Sequence, residues 1–270
     1  MKIWRNGEII DAKGAVDADD RGVTLGDGLF DTLAIIDGQP LRLEKHLLRL
    51  RHGAELLQMP FDSEIATWEP AIKAALVANN ITEGSARITL LRGVGVRGVL
   101  PPRNAKPTSM VSVHSGHVGS NLPLDAIIAS STRRNEQSPL ASIKTTNYLD
   151  AILARMEAEK SNAEDAIMLN SKGHVAEATA SNVFCVKDGE IITPKVSDGA
   201  LPGIMRSCVI KERDAQQISI SIETLLDADE VFLTSSLNIR PVVRLNGANV
   251  GAGTPGPVAK SLQDFVRTAT

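Results

Sequence analysis

Cysteine is almost missing from this sequence: Cys185 and Cys208 are the only two in 270 residues. That is too few for a disulfide framework and suits a reducing, cytoplasmic setting. Aromatic residues are as thin, at 3 % with a single tyrosine, so no platform for stacking bases or sugars is expected. Neither sign of charge dominates: the net charge is −3 with acids and bases interspersed, which leaves no basic footprint for nucleic acid. No apolar run approaches the roughly 18–20 residues of a membrane span, and the opening "MKIWRNGEIIDAKG" has no signal-peptide core. What remains is 43 % hydrophobic and 23 % charged, ordinary for a soluble globular protein with a sizeable core.

Hydrophobic patterning divides the chain in two. "KIWRNGEII" alternates around Asn-Gly, a hairpin signature. "GLFDTLAIIDGQPLRLEKHLLRLRHGAELLQM" reads as strand, Asp-Gly turn, strand and a helix from about Leu43 with Leu47, Leu50, Ala54 and Leu57 as its apolar stripe. A second helix is predicted over Ser63–Asn79, then the strands "SARITLLRGV" and "TSMVSVHSG" around the loop "GVGVRGVLPPRNAKP". "HVGSNLPLD" has the composition of a connector. Residues 1–116 are therefore assigned to a small N-terminal α+β domain, 117–123 to a linker and 124–270 to a larger C-terminal domain. That second domain opens with a strand at Asp125–Ser130. It continues through the helix after Lys144, in which Leu149, Ile152, Leu153 and Met156 recur at helical spacing with Thr146 or Asn147 as the cap.

Taken singly, the residues that could do chemistry are ordinary surface types. Lys144, in "PLASIKTTNYL", stands between an apolar run and a helix, where partial desolvation would favour a nucleophile or Schiff-base former. "ALPGIMR" opens a helix with Pro-Gly and leaves the N–H groups of Ile204 and Met205 for an anion, and "LTSS" ends a strand with the hydroxyl of Ser236. Glu177 lies among small residues in "VAEATASNVF", where a carboxylate needs a cation or a hydrogen bond. Arg49 is a helical arginine. Together they make the set that pyridoxal 5′-phosphate requires: a lysine, a carboxylate for the pyridine nitrogen, and a phosphate cup with an arginine. A metal hydrolase is weaker. His114 and His117 are spaced H-x-x-H on or just after a strand, where i and i+3 face apart, and no acidic third ligand accompanies them. The loop "RGVGVRG" lacks the Gly-Lys-Ser/Thr ending of a nucleotide-phosphate loop. A binding module without activity is disfavoured by the intact Lys144.

The ordered series "DRGVTLGDGLFDTL", "EKHLLRL", "RGVGVRG", "IKTTNYL", "DAIMLNSKGHVAEATASNVF", "ALPGIMR" and "EVFLTSS…RPV" resembles the class IV aminotransferases over nearly the whole chain. These are the fold-type IV pyridoxal-phosphate enzymes, and the resemblance implies a two-domain α+β fold with mixed or antiparallel sheets. It implies that Lys144 binds the cofactor covalently and shuttles the substrate proton. Glu177 would keep the pyridine nitrogen protonated, while Arg49, Ile204, Met205 and Ser236 would hold the phosphate. It also implies a homodimer with the active site between the domains, acting on a small amino substrate. Within the family, the grips of the D-amino-acid aminotransferases are incomplete, since Phe30 and Val99 stand where a tyrosine and a histidine are usual. The branched-chain pattern is also imperfect, with "LFDT" in the first motif and Tyr148 four places after Lys144. The resemblance to aminodeoxychorismate lyase is better: "GDG" followed by Thr32, "RGxGxRG", "LAxIKxxN" and "GIMR". It implies that Thr32 assists pyruvate elimination and that Arg97 binds a substrate carboxylate, with Phe30 and Tyr148 beside substrate and cofactor. Tyr148, where an arginine is usual, is the departure. The expectation is a lyase forming 4-aminobenzoate and pyruvate, with a class IV transaminase as the alternative.

Overall fold

The computed structural model describes residues 1–119, 122–262 and 264–269. By its contacts the chain forms two compact units, Met1–Val118 with Ile143–Asn147, and Gly119–Ser142 with Tyr148–Thr270. The first break thus lies between Val118 and Gly119; of the expected linker 117–123, Ser120 and Asn121 lie outside the described residues.

In the first unit the strands are β1 (Lys2–Arg5), β2 (Glu8–Asp11), β3 (Gly28–Ile36), β4 (Gln39–Pro40), β5 (Gly84–Leu91) and β6 (Thr108–Ser115). They form one antiparallel sheet in the order β2-β1-β6-β5-β3-β4. The β1–β2 turn is Asn6-Gly7, with φ of 45° and 103°. Both central residues of a tight hairpin turn need positive φ, so the Asn-Gly signal has a direct cause. A short helix α1 (Arg21–Thr24) precedes β3, capped by Asp20 through Gly22 N–H. Helices α2 (Leu43–Leu56) and α3 (Ile65–Asn79) cover one face of the sheet. Their Leu47, Leu50, Trp68 and Ile72 bury against Leu33, Ile35, Ile88 and Val111. Side chains alternate along a strand, so Leu29, Leu33 and Ile35 of β3 enter this core while Phe30 and Thr32 belong to the opposite face.

The second unit is built on β7 (Leu124–Ile128), β8 (Asp165–Leu169), β9 (Val175–Ala178), β10 (Asn182–Lys187), β11 (Glu190–Thr193), β12 (Gln216–Gln217), β13 (Glu230–Thr234), β14 (Ile239–Leu245) and β15 (Ala248–Asn249). These form a mixed sheet, β12-β11-β10-β13-β14-β7-β8-β9 with β15 on β14, in which β11–β12, β14–β7 and β7–β8 run parallel. The helices are α4 (Leu149–Lys160), α5 (Ile204–Arg213), α6 (Ile222–Leu226), α7 (Pro257–Ser261) and α8 (Phe265–Thr268). One core cluster gathers Val183, Cys185, Val231 and Leu233 with Ile220 and Leu225. Cys185 and Cys208 are both buried and are not joined in a disulfide, and burial pushes the Cys185 thiol up to about 12. No described helix is long and apolar enough to cross a membrane.

Two sequence expectations are corrected here, and the packing of one expected helix is set out. Lys144, expected in the second domain, belongs to the first unit. Ile143 is buried in the first unit's core, and backbone bonds fasten its neighbours to β3. Neither Thr146 nor Asn147 caps α4. Tyr148 occupies that position without a side-chain capping bond, while Thr146 Oγ1 and Asn147 Nδ2 both donate to Gly26 O. Finally, the stripe Leu149, Ile152, Leu153 and Met156 is 48–74 % exposed, and the face that packs inward carries Ala154 and Ala158. Alanine lets the helix axis approach β8 closely, whereas the larger side chains turn outward.

Candidate active site

On β3 the inward alternation places Asp31 on the same face as Leu29 and Leu33, and its side chain is fully buried. A carboxylate there must be fully paired. Helix α2 supplies the partners three residues apart on one face, His46 and Arg49. Arg49 grips Asp31 bidentately, Nε to Oδ2 at 2.8 Å and an Nη to Oδ1 at 2.7 Å. His46 Nδ1 lies 2.8 Å from Oδ1, and Thr32 N–H donates to the same oxygen at 2.8 Å. Burial alone would raise the Asp31 carboxyl, but the Arg49 charge and the hydrogen bonds from Arg49 and His46 outweigh it and hold it far below the usual range. His46 is pushed down, chiefly by its own burial. A neutral ring with the proton on Nδ1 fits this, because its buried Nε2 has no partner among the described residues and is then only an unused acceptor.

The Ile143–Asn147 segment extends the edge of β3 at its start. Phe30 N–H donates to Lys144 O at 3.0 Å, Thr146 N–H donates to Gly28 O at 2.9 Å, and Leu29 bridges Thr145. Lys144 is thus held by strand pairing rather than by the helix that follows. Its Nζ stands 4.9 Å from the centroid of the Phe30 ring, and the Arg87 guanidinium carbon stands 3.5 Å from the same centroid. Thr32 is directly across from Arg87 in the β3–β5 register. The unit therefore gathers Lys144, Phe30, Thr32 and Arg87. Arg97 is exposed on the β5–β6 loop. The buried Arg21 braces that loop by donating to Gly98 O and Val99 O at 2.7 Å each, while its Nε pairs with Asp27. Arg92 shares the Asp27 carboxylate from the other side.

In the second unit Glu177, on β9, finds both kinds of partner a secluded carboxylate needs. Oε1 is 3.0 Å from Arg134 Nε, and Oε2 accepts from Leu201 N–H at 2.9 Å. Leu201 leads into α5, whose N-cap is Gly203 and whose first turn has no side-chain cap. A Cβ on Gly203 would lie 1.9 Å from Asn182 Oδ1, so only glycine permits this close approach. Asn182 is itself tied to Leu201 O at 2.8 Å and stands opposite Thr234 in the β10–β13 register. Among the described residues the Thr234 hydroxyl is buried without a partner, and Ser236, two residues on, is half-buried. Ile204 and Met205 begin α5 and are buried, and Tyr148 is half-buried at the start of α4. An uncapped helix start, a glycine cradle and an orphaned hydroxyl are the donor set a phosphate dianion would use, so the residues fit such a group.

Sequence reasoning missed Asp31, His46, Arg87 and Arg134. For Asp31 a signal existed, a charge at an inward position of an alternating apolar strand, answered by His46 and Arg49 at helical spacing. Arg134 carries no local signal, since its role comes from Glu177, forty-three residues away.

The first unit thus holds a lysine fixed beside an aromatic ring and an arginine locked by a buried carboxylate, and the second holds a paired glutamate and an uncapped helix start. The chain belongs to the family described as amino-transferase class IV, which matches residues 28–245. It is 32 % identical to a D-alanine aminotransferase of Staphylococcus haemolyticus over 97 % of this chain and 95 % of that one. Its fold matches the Escherichia coli branched-chain amino acid aminotransferase with a TM-score of 0.91 at 28 % identity, covering 100 % of this chain and 94 % of the other. A Legionella pneumophila structure bearing the provisional name 4-amino-4-deoxychorismate lyase matches with a TM-score of 0.84 at 29 % identity and 94 % of each chain. A further branched-chain amino acid aminotransferase, solved with pyridoxamine 5′-phosphate, matches with a TM-score of 0.87 at 27 % identity over 98 % of this chain and 92 % of the other. The chain is therefore a pyridoxal-phosphate-dependent enzyme with the α+β fold of its family.

Proposed function

We propose that the protein is a 4-amino-4-deoxychorismate lyase, releasing 4-aminobenzoate and pyruvate. The observation that carries this reading is Thr32, a half-buried hydroxyl residue opposite Arg87 in the register and on the β3 face that bears Phe30, the ring beside Lys144. When bound, the cofactor draws electrons from the carbon bearing the substrate amine. Lys144 Nζ removes the proton from that carbon. Thr32 Oγ1 delivers a proton toward the departing enolpyruvyl oxygen as the ring-to-oxygen bond breaks, and the freed enol becomes pyruvate. Arg87 and Arg97 attract the substrate carboxylates, and the Phe30 ring limits the room beside them. Glu177 holds the pyridine nitrogen protonated, with its own charge supported by Arg134 and Leu201 N–H. Arg49, the Ile204 and Met205 N–H groups and the Ser236 hydroxyl take the phosphate, and Tyr148 borders the cofactor.

A class IV transaminase is the second reading, favoured by the D-alanine aminotransferase relative at 32 % identity. We assign the protein to a homodimer in the cytoplasm. Support for the dimer comes from the outer face of α4 and from Val96, Val99 and Leu100, which are 77–86 % exposed on the β5–β6 loop.

The experiment is direct. Purified protein with the cofactor should absorb near about 410–430 nm, and Lys144→Ala should abolish the band. Aminodeoxychorismate should then yield 4-aminobenzoate and pyruvate. Turnover only with D-alanine or L-leucine plus 2-oxoglutarate would refute the lyase assignment. Thr32→Ala should keep the band and lose roughly 100-fold or more of the lyase rate.

A further inference from the structure

Arg206 breaks a pattern that the other secluded arginines keep. Arg21 and Arg92 are each paired with Asp27, and Arg49 with Asp31. Arg206 is only 4 % exposed, yet both of its hydrogen bonds go to neutral oxygens, Pro194 O at 2.8 Å and Gln217 Oε1 at 2.9 Å. Its Nε is buried with no partner among the described residues. Burial lowers its affinity for a proton from the ordinary arginine value, with no opposing charge. A guanidinium withdrawn from water without a carboxylate is costly, because neutral acceptors replace only part of its hydration.

Its place in the helix sharpens the anomaly. Arg206 is the third residue of α5, at the end where unsatisfied N–H groups already concentrate positive potential. A cation is least welcome there. The Arg206 Cβ lies 3.1 Å from where a Cβ on Gly203 would stand, so the side chain leaves the helix beside its N-cap; the Thr234 hydroxyl, on the strand paired with that of Asn182, is a second buried group without a partner among the described residues. A buried positive charge without a carboxylate and an uncapped first turn therefore occupy the same end of α5, and an anion would meet the need of both.

We propose that Arg206 is a positioning cation for the phosphate taken at the start of α5: it neutralises the bound dianion across the first turn without touching it, and it strains the protein when no anion is there. This rests on the phosphate reading given under Proposed function. Arg206 thereby lowers the stability of the empty protein and raises its affinity for phosphate. A residue serving only to tie Pro194 and Gln217 together would stabilise both forms alike.

The test compares wild type, Arg206→Met, Arg206→Lys and Gln217→Ala as full-length chains. Tm is measured without cofactor, with and without saturating inorganic phosphate, and cofactor affinity is titrated on the visible band. For Arg206→Met the expected result is an empty-protein Tm equal to or above wild type. Its phosphate-induced rise in Tm should be cut by at least half, with roughly tenfold weaker cofactor binding. Arg206→Lys should restore both quantities, and Gln217→Ala should leave the phosphate response intact. An Arg206→Met protein with a lowered empty-protein Tm but unchanged phosphate response would overturn the proposal and make Arg206 a structural tie. If Arg206→Met does not fold, Arg206→Lys decides alone: a wild-type phosphate response supports the charge role, and its loss overturns it. A wild type that takes up cofactor but gains nothing from phosphate overturns the inference alone. One that takes up neither defeats the phosphate reading as well.

Discussion

Asp31 carries a charge into an apolar core and keeps it there only because His46, Arg49 and Thr32 N–H all turn toward it. Removing one side of such a cluster leaves the other charge buried and unpaired. Asp31→Asn should therefore cost about 3–5 kcal/mol in a denaturant titration, far more than a surface change. Acid should reveal the same cluster in two steps. His46 is pushed down in the fold, so the unfolded chain takes up its proton near pH ~6.5 while the native ring does not. Its contribution is complete above that pH and is lost as pH falls toward the depressed native value, with a slope of about 1.4 kcal/mol per pH unit. Asp31 is also depressed, so its contribution is complete above about pH 3.9 and is lost only below it. Stability measured between pH 7 and 5 should fall in the wild type and stay flatter in His46→Gln. An equal slope in both would exclude His46 as its source.

Helix α4 shows how far an element can be read from sequence. The spacing of Leu149, Ile152, Leu153 and Met156 correctly announces a helix, because periodicity is a local property. Which face turns inward is settled elsewhere, by the space left at β8, and there Ala154 and Ala158 fit. The same division holds along the chain. The Asn6-Gly7 turn and the inward stripe of α2 were legible, since each rests on neighbouring residues. The pairing of Lys144 with Phe30 and of Glu177 with Arg134 was not, since each joins distant positions. Two predictions belong at this scale. Ala158→Leu overfills a fully buried contact and should destabilise the fold by about 1–3 kcal/mol by calorimetry. Ile152→Asp with Leu153→Asp, on the outer face, should change folding stability by under about 1 kcal/mol but convert the proposed dimer to a monomer in sedimentation. A double variant that sediments like wild type would remove this face from the subunit contact.

For the whole molecule, cofactor and folding are linked. A ligand bound only by the native state adds about 2.7 kcal/mol at a concentration of 100 Kd, so loaded protein should melt later than empty protein. Lys144→Ala, which removes the covalent anchor proposed for the cofactor, should lose most of that gain while its empty form melts near wild type. The Ile143–Asn147 segment has a further consequence for a severed chain. It is counted with the first unit but lies between stretches of the second, so the polypeptide crosses from one unit to the other three times. A nick between β6 and β7 would leave the downstream fragment still carrying the five residues that complete the edge of β3. The upstream fragment alone would lack both that edge and Ile143. The two pieces should behave as a split protein, poorly folded apart and complementing each other when mixed.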